Sequence, residues 1–161
     1  KGLKSYGGVR RRFEIKGIQN DIMVVDDYAH HPTEVSATLQ AAKDGWDRRV
    51  IAVFQPHLYS RTKDFHKEFA EAFMNSDVLI ITDIYPAREL PIKGINGELV
   101  YNSAKSIGHK NIHYVPNIEK IKECLDGLVK SNDMIITIGA GTIWRYGQAY
   151  FEHLKNLGAT N

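Results

Sequence analysis

The chain has 161 residues, 43% of them hydrophobic, with 21 Lys and Arg against 19 Asp and Glu. This is the size and composition of one globular domain with its own core, and the near-balance of charge removes the case for a nucleic-acid or membrane surface built on bulk electrostatics. The single cysteine, Cys124, excludes an internal disulfide and fits a reducing cytoplasm; no apolar run approaches the ~20 residues of a membrane span, and no signal-peptide pattern occurs.

The chain opens on Lys1 rather than Met, as a domain cut from a longer protein would. Gly7-Gly8-Val9-Arg10-Arg11-Arg12-Phe13 comes first. Three arginines beside a flexible glycine pair are able to reach phosphate, or they are solvated charge at a domain entrance. Strands are expected over 12–18 and 22–26. So short a link cannot carry a parallel crossover, so the pair should be an antiparallel hairpin, with Gly17 available to its turn.

The apolar run from Ile22 to Val25 leads into Asp26-Asp27-Tyr28-Ala29-His30-His31-Pro32-Thr33-Glu34. A helix is expected over 33–44, with Pro32 suited to its first turn. Two carboxylates, a phenol and two imidazoles therefore crowd the turn after a buried strand, where ligands bind in open parallel sheets. Asp27 is able to accept from ribose hydroxyls, Tyr28 to stack on a flat base, and His30 and His31 to donate to phosphate or move a proton. Asp26 and Glu34, taken singly, read better as turn and cap residues. Adjacent histidines point in different directions and no Cys/His spacing supports zinc, so no metal site is expected.

A nearly all-apolar strand over 50–54 ends in Gln55-Pro56-His57-Leu58-Tyr59-Ser60-Arg61-Thr62, ahead of a helix over 63–73. Arg61 offers a planar fork that matches a carboxylate, or a helix-start salt bridge to Asp64. The strand over 78–83 leads into Ile84-Tyr85-Pro86-Ala87-Arg88-Glu89 and a long loop over 87–97, in which Arg88 and Glu89 are placed to pair. Helices over 97–107 and 118–129 flank a strand over 112–115. A last strand over 134–138 runs into Gly139-Ala140-Gly141-Thr142 and a helix over 141–157, with Gly158 as a stop. The Gly-x-Gly lacks a third glycine and a following acidic residue, which argues against a Rossmann oxidoreductase and for a tight strand–helix turn. No Gly-x-x-x-x-Gly-Lys-Ser/Thr loop occurs, so an ATP phosphate cradle would lie elsewhere. The β-α-β-α alternation predicts an α/β fold: a mostly parallel sheet with helices on both faces.

The stretches Gly7 to Glu14, Asp26 to Val35, Phe54 to Thr62, Asp83 to Glu89 and Gly139 to Ile143 together resemble the carboxy-terminal domain of the Mur ligases, in one order over essentially the whole chain. The resemblance implies a Rossmann-like fold and a place as the third domain of a three-domain cytoplasmic enzyme of peptidoglycan synthesis. The branch it most resembles joins L-alanine to UDP-N-acetylmuramate. ATP, with Mg2+, phosphorylates the muramate carboxylate, the alanine amine attacks the acyl phosphate, and ADP and phosphate leave. The UDP-sugar, the phosphate loop and the metal ligands would belong to the other two domains, so this fragment alone is expected to be inactive. Carried over by motif, Asp27, Tyr28, His30 and Arg11 or Arg12 would face the nucleotide, with Asp27 on the ribose. His57 and Arg61 would meet the alanine, Arg61 on its carboxylate, and His57 or His30 would take the ammonium proton. Many relatives carry a second arginine where this chain has Leu58, which leaves one fewer cation for that carboxylate. Competing readings are a recycling ligase that attaches a tripeptide, whose branch tends to read Glu-Pro-Arg-Ser-Asn-Thr after the second parallel strand, and a stand-alone regulatory nucleotide-binding module.

Overall fold

The computed structural model describes residues 11–159; the Gly7–Arg10 part of the arginine motif lies outside the described residues. In chain order the elements are β1 (Glu14–Gln19), β2 (Ile22–Asp27), α1 (Pro32–Gly45), β3 (Arg49–Phe54), α2 (Tyr59–Ala72), β4 (Val78–Ile81), α3 (Glu98–Ser106), β5 (Ile112–Tyr114), α4 (Ile121–Leu128), β6 (Asp133–Ile138) and α5 (Ile143–Ala159). The strands form one sheet in the order β1-β2-β6-β3-β4-β5, with β1 antiparallel to β2 and the other pairs parallel. This is the expected α/β class.

Alternation along each strand divides the apolar residues between two faces. Val50, Ala52 and Phe54 of β3 join a core under α1, α2 and α3, where Phe54 packs on Phe69 and Phe73. Ile51 and Val53 face the other way, onto Ile121 and Leu125 of α4 and Ile143, Tyr150 and Leu154 of α5. β2, β3, β4 and β6 are covered on both faces, which is why their central residues are apolar on both sides.

Connections from β2 to β3, β4 and β5 move one way across the sheet, and the chain then returns to seat β6 between β2 and β3. That reversal puts the helices around β6 on the opposite face. The chain therefore leaves the carboxyl ends of β2 and β3 toward one face and that of β6 toward the other, opening a crevice between them.

Several boundaries differ from the sequence expectation, each for a physical reason. The β1–β2 turn is Asn20–Asp21, both at positive φ (54° and 60°), the backbone a tight hairpin needs. Gly17 lies instead at a register shift in β1, at φ +148°, where a side chain would strike the Phe151 ring. β4 stops at Ile81 because the Asp83 carboxylate turns to the amides of Ile84 and Gly97, 2.9 and 3.0 Å away, and so closes the long loop. α2 begins at Tyr59 rather than 63, and α5 runs from 143 past Gly158 to 159. The helix expected over 118–129 starts as a 3₁₀ turn, Ile118–Lys120, and becomes α-helical at Ile121.

Candidate active site

The polar motifs meet at the carboxyl ends of β2, β6, β3 and β4. Backbone bonds lock the four connections together: Gln55 N donates to Ile138 O (3.0 Å), Gly139 N to Asp27 O (3.1 Å), Tyr85 N to Pro56 O (2.8 Å) and Leu58 N to Tyr85 O (2.9 Å). Residues far apart in sequence thus form one surface on a rigid sheet.

Two residues expected to meet a nucleotide are turned inward. Asp27 is only 4% exposed. Its Oδ2 accepts from Phe13 N and its Oδ1 from Ala29 N, both at 2.8 Å. Burial raises its pKa, against the pull of those amides, Thr38 and Arg12. Asp27 therefore holds the backbone of the turn through both carboxylate oxygens. Arg11 donates through Nε to the buried Asp26 carboxylate (2.7 Å) and through Nη2 to Gly139 O (3.0 Å). Thr137 Oγ1 completes Asp26 at 2.7 Å, so Arg11 and Asp26 form a clamp beneath the site. The Arg11 guanidinium also lies 5.1 Å from the Tyr28 ring and 5.9 Å from the Trp144 ring, an aromatic–cation–aromatic stack with Tyr28 exposed. Arg12 is exposed. Glu34 caps α1: Oε1 accepts from the amides of His30 (3.0 Å) and His31 (3.2 Å).

Around the crevice three imidazoles gather. The His30 ring lies 5.1 Å from His31 and 5.9 Å from His57, and His57 stacks on Tyr85 at 5.8 Å with a 17° interplanar angle. Arg61 does not pair with Asp64. One turn into α2, its Nη1 donates to His57 Nδ1 at 3.0 Å. No hydrogen bond among the described residues takes its Nε–Nη2 edge, the pair of donors that matches a carboxylate. Leu58, the N-cap of α2, sits at φ 75°, a conformation that a branched side chain adopts only where its surroundings force it. Burial, the Arg61 cation and His30 together lower the pKa of His57, with Glu89 opposing; burial, Arg61 and His30 do the same to His31 against Glu34.

Gln55, Glu89 (expected to pair with Arg88) and Trp144 also shape the site. The Gln55 Oε1 accepts from Thr142 N (2.8 Å) and Ile143 N (3.0 Å), so the amides that open α5 are occupied from within. Gly139-Ala140-Gly141-Thr142 is the tight strand–helix turn expected: a Cβ at Gly141 would stand 2.5 Å from the Tyr85 ring. Glu89 does not pair with Arg88. It caps α2 instead, accepting from Ser60 N at 3.1 Å and from the Ser60 hydroxyl. Trp144, in the first turn of α5, is the third. Among the described residues no group of three or more His, Cys, Asp or Glu side chains could hold a metal ion.

The histidines make stability depend on pH with a definite sign. His31, His57, His109 and His113 all have pKa values lowered from 6.5, burial being the largest cause in each. Below about pH 6.5 these four side chains bind more protons in the unfolded chain than in the folded one, which favours the folded state at higher pH. This stabilisation is complete above pH 6.5 and is lost as pH falls through the lowered folded-state values. Urea unfolding at pH 7.5 and 5.5 should show a lower midpoint at 5.5 with the same m value; an equal or higher midpoint would contradict the lowered pKa values of these imidazoles.

Comparison with known proteins places this surface among relatives. The model of the Mur ligase glutamate ligase domain matches residues 11–141. The UDP-N-acetylmuramate–L-alanine ligase of Geotalea uraniireducens is 53% identical over 154 residues, covering 96% of this chain and 34% of that protein. The enzyme of the same name from Salinibacter ruber is 52% identical over 160 residues, covering 99% of this chain and 34% of its own. Among solved structures, the UDP-N-acetylmuramate-alanine ligase of Thermotoga maritima aligns with a TM-score of 0.76 at 28% identity, over 96% of this chain and 32% of that one. An isolated ligase domain from Haemophilus ducreyi shares the fold, with a TM-score of 0.65 at 24% identity, over 89% of this chain and 99% of that one. The chain spans about a third of the length of the full-length relatives it matches.

Proposed function

We propose, since the chain belongs to the Mur ligase family, that it is the amino-acid-handling domain of an ATP-dependent ligase that joins L-alanine to UDP-N-acetylmuramate. The observation that carries this reading is the Arg61–His57–His30 cluster in the crevice: a cation with an open bidentate edge beside two imidazoles. An amino acid presents a carboxylate and an ammonium, and the cluster offers a partner for the first and a proton acceptor for the second. The relatives of more than 50% identity bearing that enzyme's name support the choice of alanine.

In this reading the chain is one domain of a larger cytoplasmic enzyme and closes over the others. Arg61 takes the alanine carboxylate on its Nε–Nη2 edge. His57 and His30 stand over the amine. Tyr28 and Arg12, the exposed members of the nucleotide motif, face ATP from the closing side. In this reading the phosphate loop and the Mg2+ ligands belong to the remainder of the enzyme, while Gln55 fills the amides that open α5. Bound there, ATP with its metal ion supplies the activated phosphoryl group. This chain orients the amine and keeps water from the acyl phosphate, which together lower the barrier to C–N bond formation.

The test is substrate-dependent phosphate release. The full-length protein, given ATP, Mg2+ and UDP-N-acetylmuramate, should release phosphate on addition of L-alanine and not of the tripeptide that the recycling ligases attach. The 161-residue chain should release none with either and bind ATP no tighter than the millimolar range. Tripeptide-dependent release would transfer the chain to the recycling branch. Sub-micromolar ATP binding by the chain alone would make it a stand-alone nucleotide module.

A further inference from the structure

The two imidazoles over the crevice are hydrogen-bonded through the same ring atom to opposite kinds of partner. At His57, Nδ1 lies 3.0 Å from Nη1 of Arg61. A guanidinium only donates, so His57 Nδ1 is the acceptor and the ring is the neutral form with its hydrogen on Nε2. At His30, Nδ1 lies 2.9 Å from the carbonyl oxygen of Tyr28 and 3.6 Å from the Glu34 carboxylate. Both of those atoms only accept, so His30 Nδ1 carries hydrogen and its Nε2 is bare. The rings are 5.9 Å apart, edge to face.

We propose that His30 is the proton acceptor of this site, through Nε2, and that His57, held by Arg61, works as a neutral hydrogen-bond donor through Nε2–H. The assignment rests on the ligase reading above and decides between the two histidines it leaves open. While Arg61 occupies Nδ1, His57 has no free lone pair with which to take a proton. Its ring is fixed on two sides, by Arg61 and by stacking on Tyr85, and it presents an N–H to an anionic oxygen of the substrates. His30 has the reverse polarity. An N–H bond of the alanine ammonium breaks, the hydrogen passes to Nε2, and the electron pair left on nitrogen forms the C–N bond as phosphate departs with the acyl–oxygen pair. The resulting imidazolium is met at Nδ1–H by the Tyr28 carbonyl and the Glu34 carboxylate. That carboxylate stays charged: burial works against it, but the amides of His30 and His31 and the nearby imidazoles lower its pKa. The groups facing His30 are Tyr28, His31 and Glu34 from its own segment and His57 from the β3–α2 connection. Those facing His57 are Arg61, Tyr85, Glu89 and His30.

Long-range 1H–15N correlation of the 15N-histidine-labelled chain at pH 8 reads the tautomers directly, with His30→Gln and His57→Gln assigning the signals. The expected result is bare Nδ1 with protonated Nε2 at His57, and protonated Nδ1 with bare Nε2 at His30; the reverse at either residue overturns the proposal. In the full-length enzyme, His30→Gln should lower kcat/KM for L-alanine about 100-fold or more and remove the acid limb of its pH profile. His57→Gln should keep that limb and act mainly on KM. Loss of the limb in His57→Gln, with retention in His30→Gln, overturns the assignment. Failure of the ligase reading is seen separately, as wild-type enzyme without alanine-dependent phosphate release. The tautomers then still decide which ring bears the bare nitrogen.

Discussion

Arg61→Ala in the full-length enzyme is expected to raise KM for L-alanine about 10- to 100-fold, the loss of a charge-assisted pair worth about 1.5–3 kcal/mol. The effect has two sources. The substrate carboxylate loses its bidentate partner, and no second arginine compensates because position 58 is leucine. His57 also loses the donor at Nδ1 and the cation that lowers its pKa. Its pKa should therefore rise in the variant, which an NMR titration of the chain will read. Arg61→Lys keeps the charge but not the planar fork, and should recover only part of the affinity. A KM for alanine unchanged in Arg61→Ala would remove this residue from substrate capture.

Gly97→Ala should cost about 3 kcal/mol or more of folding stability, at the upper end of what one added methyl group does in a packed interior. Gly97 has an ordinary helical φ of −64°, so the penalty is one of space. A Cβ there would collide with the carbonyl oxygen of Thr82 and stand 3.2 Å from the Asp83 Cα and 3.1 Å from the Tyr114 ring. Two of those neighbours are backbone of the connection that carries Tyr85, and they cannot swing aside. Because Asp83 also ties the Gly97 amide, relief would open the long loop and loosen the Glu89 cap on α2. Gly45→Ala is the control: nothing lies within 4 Å of its added methyl, and it should be neutral or stabilising by up to about 1 kcal/mol. Equal urea midpoints for the two variants would refute the crowding at Gly97.

The six strands and five α-helices of the described residues were legible because each is written in local chemistry. The runs 50–54 and 78–81 are apolar on both faces, and Asp26 to Glu34 carries its own helix start in Pro32 and Glu34. Glu34 and Asp26 have the structural roles that single-residue chemistry favours. Other contacts depend on partners distant in sequence. α2 starts early because Glu89, far along the chain, supplies its cap. Arg61, suited by residue type either to a ligand carboxylate or to Asp64, reaches His57 and not Asp64, since the helix start at Tyr59 sets the two one turn apart. Arg11 and Asp27, suited to a nucleotide by residue type, also bind within the chain, Arg11 to the buried Asp26 and Asp27 to the amides of Phe13 and Ala29.

Sequence alone determined the class of fold, the order of its elements and the stretches that would meet at one edge of the sheet, because hydrophobic periodicity and turn chemistry act over a few residues. Tertiary structure alone decided what each polar group in those stretches is free to do. A carboxylate or an imidazole has few hydrogen-bonding positions, and which of them remain open depends on partners that only the folded chain brings within 3 Å. That is why Asp27 is tied to two amides, Arg61 keeps one edge, and two neighbouring histidines meet opposite kinds of partner at Nδ1.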